Sequence, residues 1–232
     1  MSSAYDGWVP ADADIAPVAA LVGDETRAAM LTALHDGRAL PAGELARRAR
    51  VSPSTASAHL ARLVDGGLLA LERSGRHRYF RLANEDVAHA LEALAVIAPP
   101  IPVRSLRTAA VGEALTEART CYDHLAGRLG VTLTSGLLRE CALVDRGGAF
   151  VLGPRASTVL GRLGVDLEQL PARRPAVRRC LDWSERRPHL AGAAGAALCS
   201  RALEEGWVER LPGSRAVRLT PSGRKAFASL LP

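Results

Sequence analysis

No two cysteines in this sequence stand at C-x-x-C spacing. Cys121, Cys141, Cys180 and Cys199 are scattered through the second half, which excludes a zinc ribbon and fits reduced thiols better than a disulfide framework. Lysine is almost missing: Lys225 is the only one, so arginine supplies nearly all of the basic charge behind the formal net +6 and the isoelectric point near 9.8. Long apolar runs are lacking too. The longest, Ala93 to Val103, is too short to span a bilayer and is broken by Pro99, Pro100 and Pro102, so no membrane partner is expected. The opening MSSAYDGWVPADADIAP is acidic and has no basic region followed by an apolar core, so the expectation is a cytoplasmic protein without a secretory leader. The backbone cradles of common enzymes are absent as well: there is no G-x-S-x-G, no G-x-x-x-x-G-K-[ST], and no G-x-G-x-x-G behind a strand. Neither an enzyme nor a cofactor is expected.

What is present is enough apolar residue, 48% of 232 positions, for one large or two small cores. The charge is unevenly spread. Between Arg38 and Arg81 lie nine arginines and three acidic residues, a local basic excess of the kind that marks phosphate binding. In the middle of that stretch runs SPSTASAHLARL, Ser52 to Leu63. Ser52 suits a helix N-cap and Pro53 suits the first helical position, where its missing N–H costs nothing. Around the helix Ala56, Leu60, Leu63 and Val64 share one side, the spacing of a buried stripe. Ser54, Thr55, Ala58 and Arg62 occupy the opposite side, with Ser57 and His59 on its flanks. An ordinary solvated face would carry Glu, Lys and Gln, because Ser and Thr compete for the helix's own hydrogen bonds. Short hydroxyls instead permit close approach to a partner such as a DNA groove.

The neighbouring segments support this reading. Asp24 precedes ETRAAMLTALHDG, a helical pattern closed by Gly37, and a further helix is expected over Gly43 to Ala49. Two short helices joined tightly, the second polar outside, describe a helix-turn-helix. LLALERSGRHRYFRL then alternates as two strands around a Ser74-Gly75 turn, a hairpin tipped by Arg76, His77 and Arg78. Asn84 caps a helix over EDVAHALEALAVIA with Val87, Leu91, Leu94 and Val96 on its apolar side. The boundaries expected are a DNA-binding domain over 1–98, a proline-rich linker over 99–103, and a C-terminal domain over 104–232. In that C-terminal domain, ALVDRGGAFVLGPRASTVL and GWVERLPGSRAVRLTPSGRKAF repeat the plan of the first hairpin. Leu82, Leu152 and Leu219 coincide, each followed two residues later by a helix starter, Asn84, Pro154 or Pro221. With helices expected over SLRTAAVGEALTEARTCYDHLAGRLG, LTSGLLREC and LAGAAGAALCSRALEEG, this half reads as one more winged-helix-like domain or a degenerate pair. The fold class is therefore mainly α with small β wings, an α+β arrangement.

LVGDETRAAMLTAL, LPAGELARRARVSPSTASAHLARLVDGGLL and RSGRHRYFRL together resemble the DNA-binding domain of the ArsR/SmtB family of bacterial transcriptional regulators, over Leu21 to about Ala98. The resemblance implies a winged helix-turn-helix homodimer that binds an inverted-repeat operator and represses transcription until an effector releases it. Carried onto this chain, it makes Ser52 to Val64 the recognition helix and Arg73 to Leu82 the wing. The expected DNA-binding residues are Ser52, Ser54, Thr55, Ser57, His59, Arg62, Arg76, His77 and Arg78. The dimer contact would use Ile15 to Val22 and Glu85 to Ala98. Metal-sensing members often carry two cysteines in a Leu-Cys-x-Cys run; here the stretch is LPAGEL, with Pro41 and Gly43 in those places, so family membership does not imply metal sensing. The competing expectation is a winged-helix module that binds protein or a small molecule without reading DNA.

Two other stretches could carry chemistry. CYDHLAG sets Cys121 and His124 three residues apart, on one face if the segment is helical, and Cys180 with Asp182 or His189 could complete a metal or effector site. The plainer expectation is no metal, with Cys121 a small buried apolar residue and His124 satisfied locally. Trp183, amid Arg178, Arg179, Arg186 and Arg187, could stack a ligand or a base, or form a domain contact.

Overall fold

Asp24 interrupts the first helical stretch and starts the second. Helix α1 (Ala16–Val22) ends at Gly23, and α2 (Glu25–Ala33) begins where the Asp24 carboxylate accepts the backbone N–H of Arg27. The computed structural model describes residues 13–75, 77–99, 102 and 105–232. After strand β1 (Leu40–Pro41), α3 (Ala42–Ala49) stops because Arg50 turns left-handed, at φ 56°, which sends the N–H groups of Arg50 and Val51 back onto the carbonyls of Arg47 and Ala46. The next helix, α4 (Pro53–Asp65), starts at once, its Thr55 N–H capped by Ser52 Oγ. Strands β2 (Leu69–Ser74) and β3 (His77–Leu82) form the hairpin, in register from Leu69 opposite Leu82 to Ser74 opposite His77, with β1 on the outer side of β3. Asn84 then caps α5 (Glu85–Ile97). Met30, Leu31 and Leu34 of α2, Leu45 of α3, Leu60 and Leu63 of α4, and Phe80 and Leu82 of β3 close one apolar cluster.

The inward residues of α5 differ from expectation. Ala88 and Glu92 are the buried positions, Val87 and Leu91 are only half-buried, and Leu94 and Ile97 are 44% and 78% exposed. Glu92 faces the arginines of the second half, Arg119 at 3.3 Å and Arg215 at 3.6 Å, while Val87 and Leu91 still pack against the N-terminal apolar cluster.

The second half is a duplication. After α6 (Leu106–Glu117), strands β4 (Arg119–Cys121) and β5 (His124–Ala126) lead into α7 (Gly127–Arg139), the hairpin β6 (Leu143–Asp145) and β7 (Phe150–Leu152), and α8 (Ala156–Arg162). The same order returns as β8 (Arg178–Leu181), β9 (Pro188–Ala191), α9 (Gly192–Glu204), β10 (Val208–Arg210), β11 (Val217–Leu219) and α10 (Pro221–Ala226). Of the two expectations for this half, the paired one matches. The two repeats exchange supports. A Cβ on Gly130 of α7 would lie 2.4 Å from the Leu125 carbonyl oxygen and 3.6 Å from His189 Cβ; one on Gly195 of α9 would lie 2.7 Å from the Leu190 carbonyl oxygen and 3.3 Å from His124 Cβ. Each helix therefore presses on its own hairpin and touches the histidine of the other. Leu129, Leu133, Leu137, Leu160, Leu198 and Phe227 belong to the single apolar cluster they share.

Two expectations here need correction. The segment from 105 to 130 is not one helix: α6 ends at Glu117, Ala118 is extended, and Cys121 and His124 face each other across the β4–β5 hairpin. Tertiary contacts outweigh local helical pattern there, since Arg119 and Thr120 are fully buried and Thr120 N–H donates to the Arg215 carbonyl. Helix α8 starts at Ala156 and not at Pro154, because the Gly153 and Arg155 N–H groups turn back onto Ala142 and Cys141 first.

Candidate nucleic-acid interface

Helix α4 turns Ala56, Leu60 and Leu63 into the core and leaves Ser52, Ser54, Thr55, Ser57, Ala58 and Arg62 exposed. Its first turn carries a hydroxyl cluster: Ser52 Oγ lies 2.9 Å from Ser54 Oγ and 2.8 Å from Thr55 Oγ1. Ser57 Oγ donates to the Pro53 carbonyl at 2.9 Å, so it presents a lone pair outward. His59 is placed differently from the others. It is half-buried, with Nδ1 3.6 Å from Asp24 Oδ1, and so leans back on the α2 cap. On the hairpin, His77 and Arg78 are exposed, while Arg76 lies outside the described residues. Arg81 is engaged with Glu72 across the strands, and Arg48 with Glu44 at 2.7 Å. Among the described residues Arg50, Arg62, Arg73 and Arg78 have no carboxylate partner, and all four are exposed. The outcome is a polar helix flanked by uncompensated guanidinium groups, a surface suited to phosphate and base edges.

Behind α5 a buried charge network joins this domain to the second half. Arg119, fully buried, reaches Asp182 at 2.9 Å and Glu92 at 3.3 Å, donates to Ser184 Oγ at 3.0 Å, and lies 4.5 Å from the Trp183 ring centroid. Trp183, half-buried, has one partner for its ring in this internal arginine of the same half. Arg215 approaches Glu92 at 3.6 Å, and His35 Nε2 lies 3.6 Å from the same carboxylate and 3.1 Å from the Ala88 carbonyl. Burial works to raise the Glu92 carboxyl, but the Arg215 and Arg119 guanidinium groups outweigh it and hold it below its usual range. Burial likewise opposes ionisation of Asp182, yet His189, Arg119 and Ser184 keep it far below the ordinary carboxylate value. Burial first, and Arg215 second, bring His35 down to about 3, so its imidazole is neutral at physiological pH. The backbone joins in: Tyr122 N–H donates to the His35 carbonyl at 2.7 Å.

Cys121, His124 and Cys180, separate in sequence, are brought together with His189 in the interior of the second half. Sequence reasoning set Cys121 and His124 on a helix and missed the repeat that pairs them. The signal was available, since RTCYDHLAG and RRCLDWSERRPHLAG share Arg-x-Cys-x-Asp and His-Leu-Ala-Gly around an insertion.

These features define the class, a winged helix-turn-helix protein with a duplicated C-terminal half. A family model described as a helix-turn-helix domain matches residues 22–72. Over 215 residues, 92% of this chain and 95% of the other, the sequence is 45% identical to an uncharacterised HTH-type transcriptional regulator of Bacillus subtilis (strain 168), YdfF. The chain belongs to this family of HTH-type transcriptional regulators, with an N-terminal domain of the ArsR/SmtB kind that its sequence resembles. Solved structures similar to it include the homodimeric winged helix-turn-helix DNA-binding domain of a possible ArsR-family regulator from Mycobacterium bovis (31% identity, 36% of this chain and 76% of that one, TM-score 0.34). HlyU from Vibrio cholerae is another (29% identity, 34% and 84%, TM-score 0.32). Both of these cover about a third of the chain, whereas the B. subtilis relative extends through the duplicated half.

Proposed function

We propose that this regulator binds an inverted-repeat operator as a homodimer, represses transcription from it, and is released by an effector acting through the C-terminal half. The observation that carries the reading is the open face of α4: Ser54, Thr55, Ser57 and Arg62 stay exposed beside the uncompensated Arg73 and Arg78, and no part of the second half covers them. In this reading α4 enters the major groove, the first-turn hydroxyls and Arg62 meet base edges or nearby phosphates, and the wing, with Arg76, His77 and Arg78, rests on the backbone. His59 acts indirectly, by fixing α4 against Asp24. Ile15, Val18, Leu94 and Ile97, all large, apolar and exposed on or beside α1 and α5, supply the dimer contact. A two-fold dimer sets the half-sites about one helical turn apart.

Fluorescence anisotropy against DNA from the promoter region of its own gene, over a range of salt, tests the reading. Affinity should fall steeply with salt; Arg78→Ala should weaken binding to every sequence and reduce the salt slope by about 1, and Ser57→Ala should act mainly on sequence preference. Salt-independent association, or two variants indistinguishable from the parent, would refute it and favour a protein-binding module.

A further inference from the structure

Cys121, His124, Cys180 and His189 are all at least 97% buried, and one ligand atom from each lies within 4.8 Å of every other. They come as two cross-strand pairs, Cys121 opposite His124 and Cys180 opposite His189, one pair from each repeat. The two Sγ atoms are 4.0 Å apart and the two imidazole centroids 5.1 Å. Each histidine has an aspartate behind one ring nitrogen: His124 Nδ1 is 3.3 Å from Asp123 Oδ1, and His189 Nδ1 is 3.2 Å from Asp182 Oδ2. The Nε2 atom of each is buried without a hydrogen-bond partner, and so is His189 Nδ1, whose approach to Asp182 is an ion-pair distance without hydrogen-bond geometry. Buried polar atoms normally have one, so two orphaned Nε2 atoms beside two thiols point to a missing common partner.

We propose that these four residues form a closed tetrahedral site for a zinc-class metal ion that ties the two repeats together. The donor set is two thiolates and two neutral imidazoles, which suits Zn(II) and excludes hard cations such as Mg(II) or Ca(II). With Zn–S bonds of about 2.3 Å, a tetrahedral S–Zn–S angle puts the sulfurs roughly 3.8 Å apart, close to the separation found. The Asp123 carboxylate hydrogen-bonded to His124 Nδ1 fixes that ring's orientation and tautomer, as second carboxylates do around metal-bound histidines, and Asp182 stands in the equivalent place beside His189. Protein ligands fill all four positions, so the ion would have no open position for substrate, and its part is structural or regulatory.

Both supporting aspartates are connected by an arginine to α5. Asp182 holds Arg119, which reaches Glu92; Asp123 holds Arg174 at 2.6 Å, and Arg174 reaches Glu85 at the start of the helix at 2.8 Å. Metal occupancy therefore bears on the position of α5. That coupling rests on the DNA-binding reading above; the site itself does not.

Full-length protein stripped with chelator and titrated with Co(II) gives the test. One equivalent per chain should bind with the thiolate-to-cobalt charge-transfer band and the intense visible bands of tetrahedral coordination, and Zn(II) should displace it. Cys121→Ser or Cys180→Ser should remove most of the charge-transfer intensity, and Cys141→Ser, at an exposed cysteine, should leave it unchanged. Should a serine variant fail to fold, His189→Gln keeps both thiols and is expected to weaken Co(II) binding at least tenfold. Absence of a thiol-dependent band in the parent, or equal loss in Cys141→Ser, overturns the site. Operator affinity of the apo and zinc forms, compared by anisotropy, should differ at least about fivefold. Equal affinities overturn the coupling while leaving the site in place, and no DNA binding by either form refutes the DNA reading with the cobalt spectrum still deciding the site.

Discussion

Replacing Arg119 with Met tests whether the buried charge network holds the two halves together. Methionine keeps most of the side-chain volume, so the loss reports charge and hydrogen bonding more than a cavity. The guanidinium satisfies Asp182, Glu92, Ser184 Oγ and the Leu115 carbonyl at 2.9 to 3.3 Å, with no exposure to solvent. Removing one partner of a buried ion pair costs about 3–5 kcal/mol, because the other charge is left unpaired in a poor solvent for it. The low end applies here. Glu92 keeps Arg215 at 3.6 Å, and Asp182 keeps the Gly127 N–H and the Ser184 hydroxyl, both at 2.7 Å. A loss of about 3 kcal/mol at 2–4 °C per kcal/mol, typical of a chain this long, lowers Tm by about 6–12 °C. Urea unfolding followed by far-UV circular dichroism measures the same loss as a lower midpoint. The deficit should narrow in acid. In the parent, Glu92 and Asp182 are held below their usual values, so their contribution is present at neutral pH and lost as pH falls through the folded-state values. Without Arg119 the same carboxyls are raised, and protonation relieves them. A variant within 0.5 kcal/mol of the parent on the scale of ordinary surface changes, or a deficit that grows in acid, would show that the network does not bear on stability.

Three further outcomes are expected. Ser52→Ala removes the α4 cap and should cost about 1 kcal/mol in urea unfolding, a loss that Ser52→Asn largely avoids. His35, neutral in the fold down to about 3, takes up a proton near 6.5 when unfolded; the parent should therefore lose stability as pH falls from about 6.5, by up to about 1.4 kcal/mol per pH unit, and His35→Gln should flatten that limb of the profile. Leu94→Asp together with Ile97→Asp should leave the chain folded but shift its sedimentation to that of a monomer and abolish tight operator binding; an unchanged dimer would move the contact elsewhere.

The N-terminal domain was legible because its signals are local. Caps at Asp24, Ser52 and Asn84, the proline at position 53, and the alternation of LLALERSGRHRYFRL each act within a few residues, and each is found where the sequence puts it. The misread parts depend on distant partners. Nothing within α5 says that Glu92 turns inward, since the arginines it faces come from 27 and 123 positions away in the chain, at Arg119 and Arg215. Nor does local periodicity end α6 before Arg119, whose burial depends on Asp182 and Trp183. His59 shared the spacing of the exposed residues, yet it lies half-buried with Nδ1 3.6 Å from Asp24 of the preceding cap. The cysteine–histidine cluster was half visible: the sequence offered Cys121 and His124 with Cys180 and Asp182 or His189 as a candidate site, but put the first pair on a helix, and the internal duplication is what sets the four residues as two matching cross-strand pairs.

Because α7 and α9 each rest against the histidine of the opposite hairpin, neither repeat is a self-sufficient unit. A truncation between Arg162 and Arg178 would strip the remaining helix of half its seat, so shortened versions of this half should collapse or reassemble in trans and not persist as separate folded pieces. A substitution that enlarges Gly130 or Gly195 on one copy therefore has to be met by a change on the other, at His189 or His124.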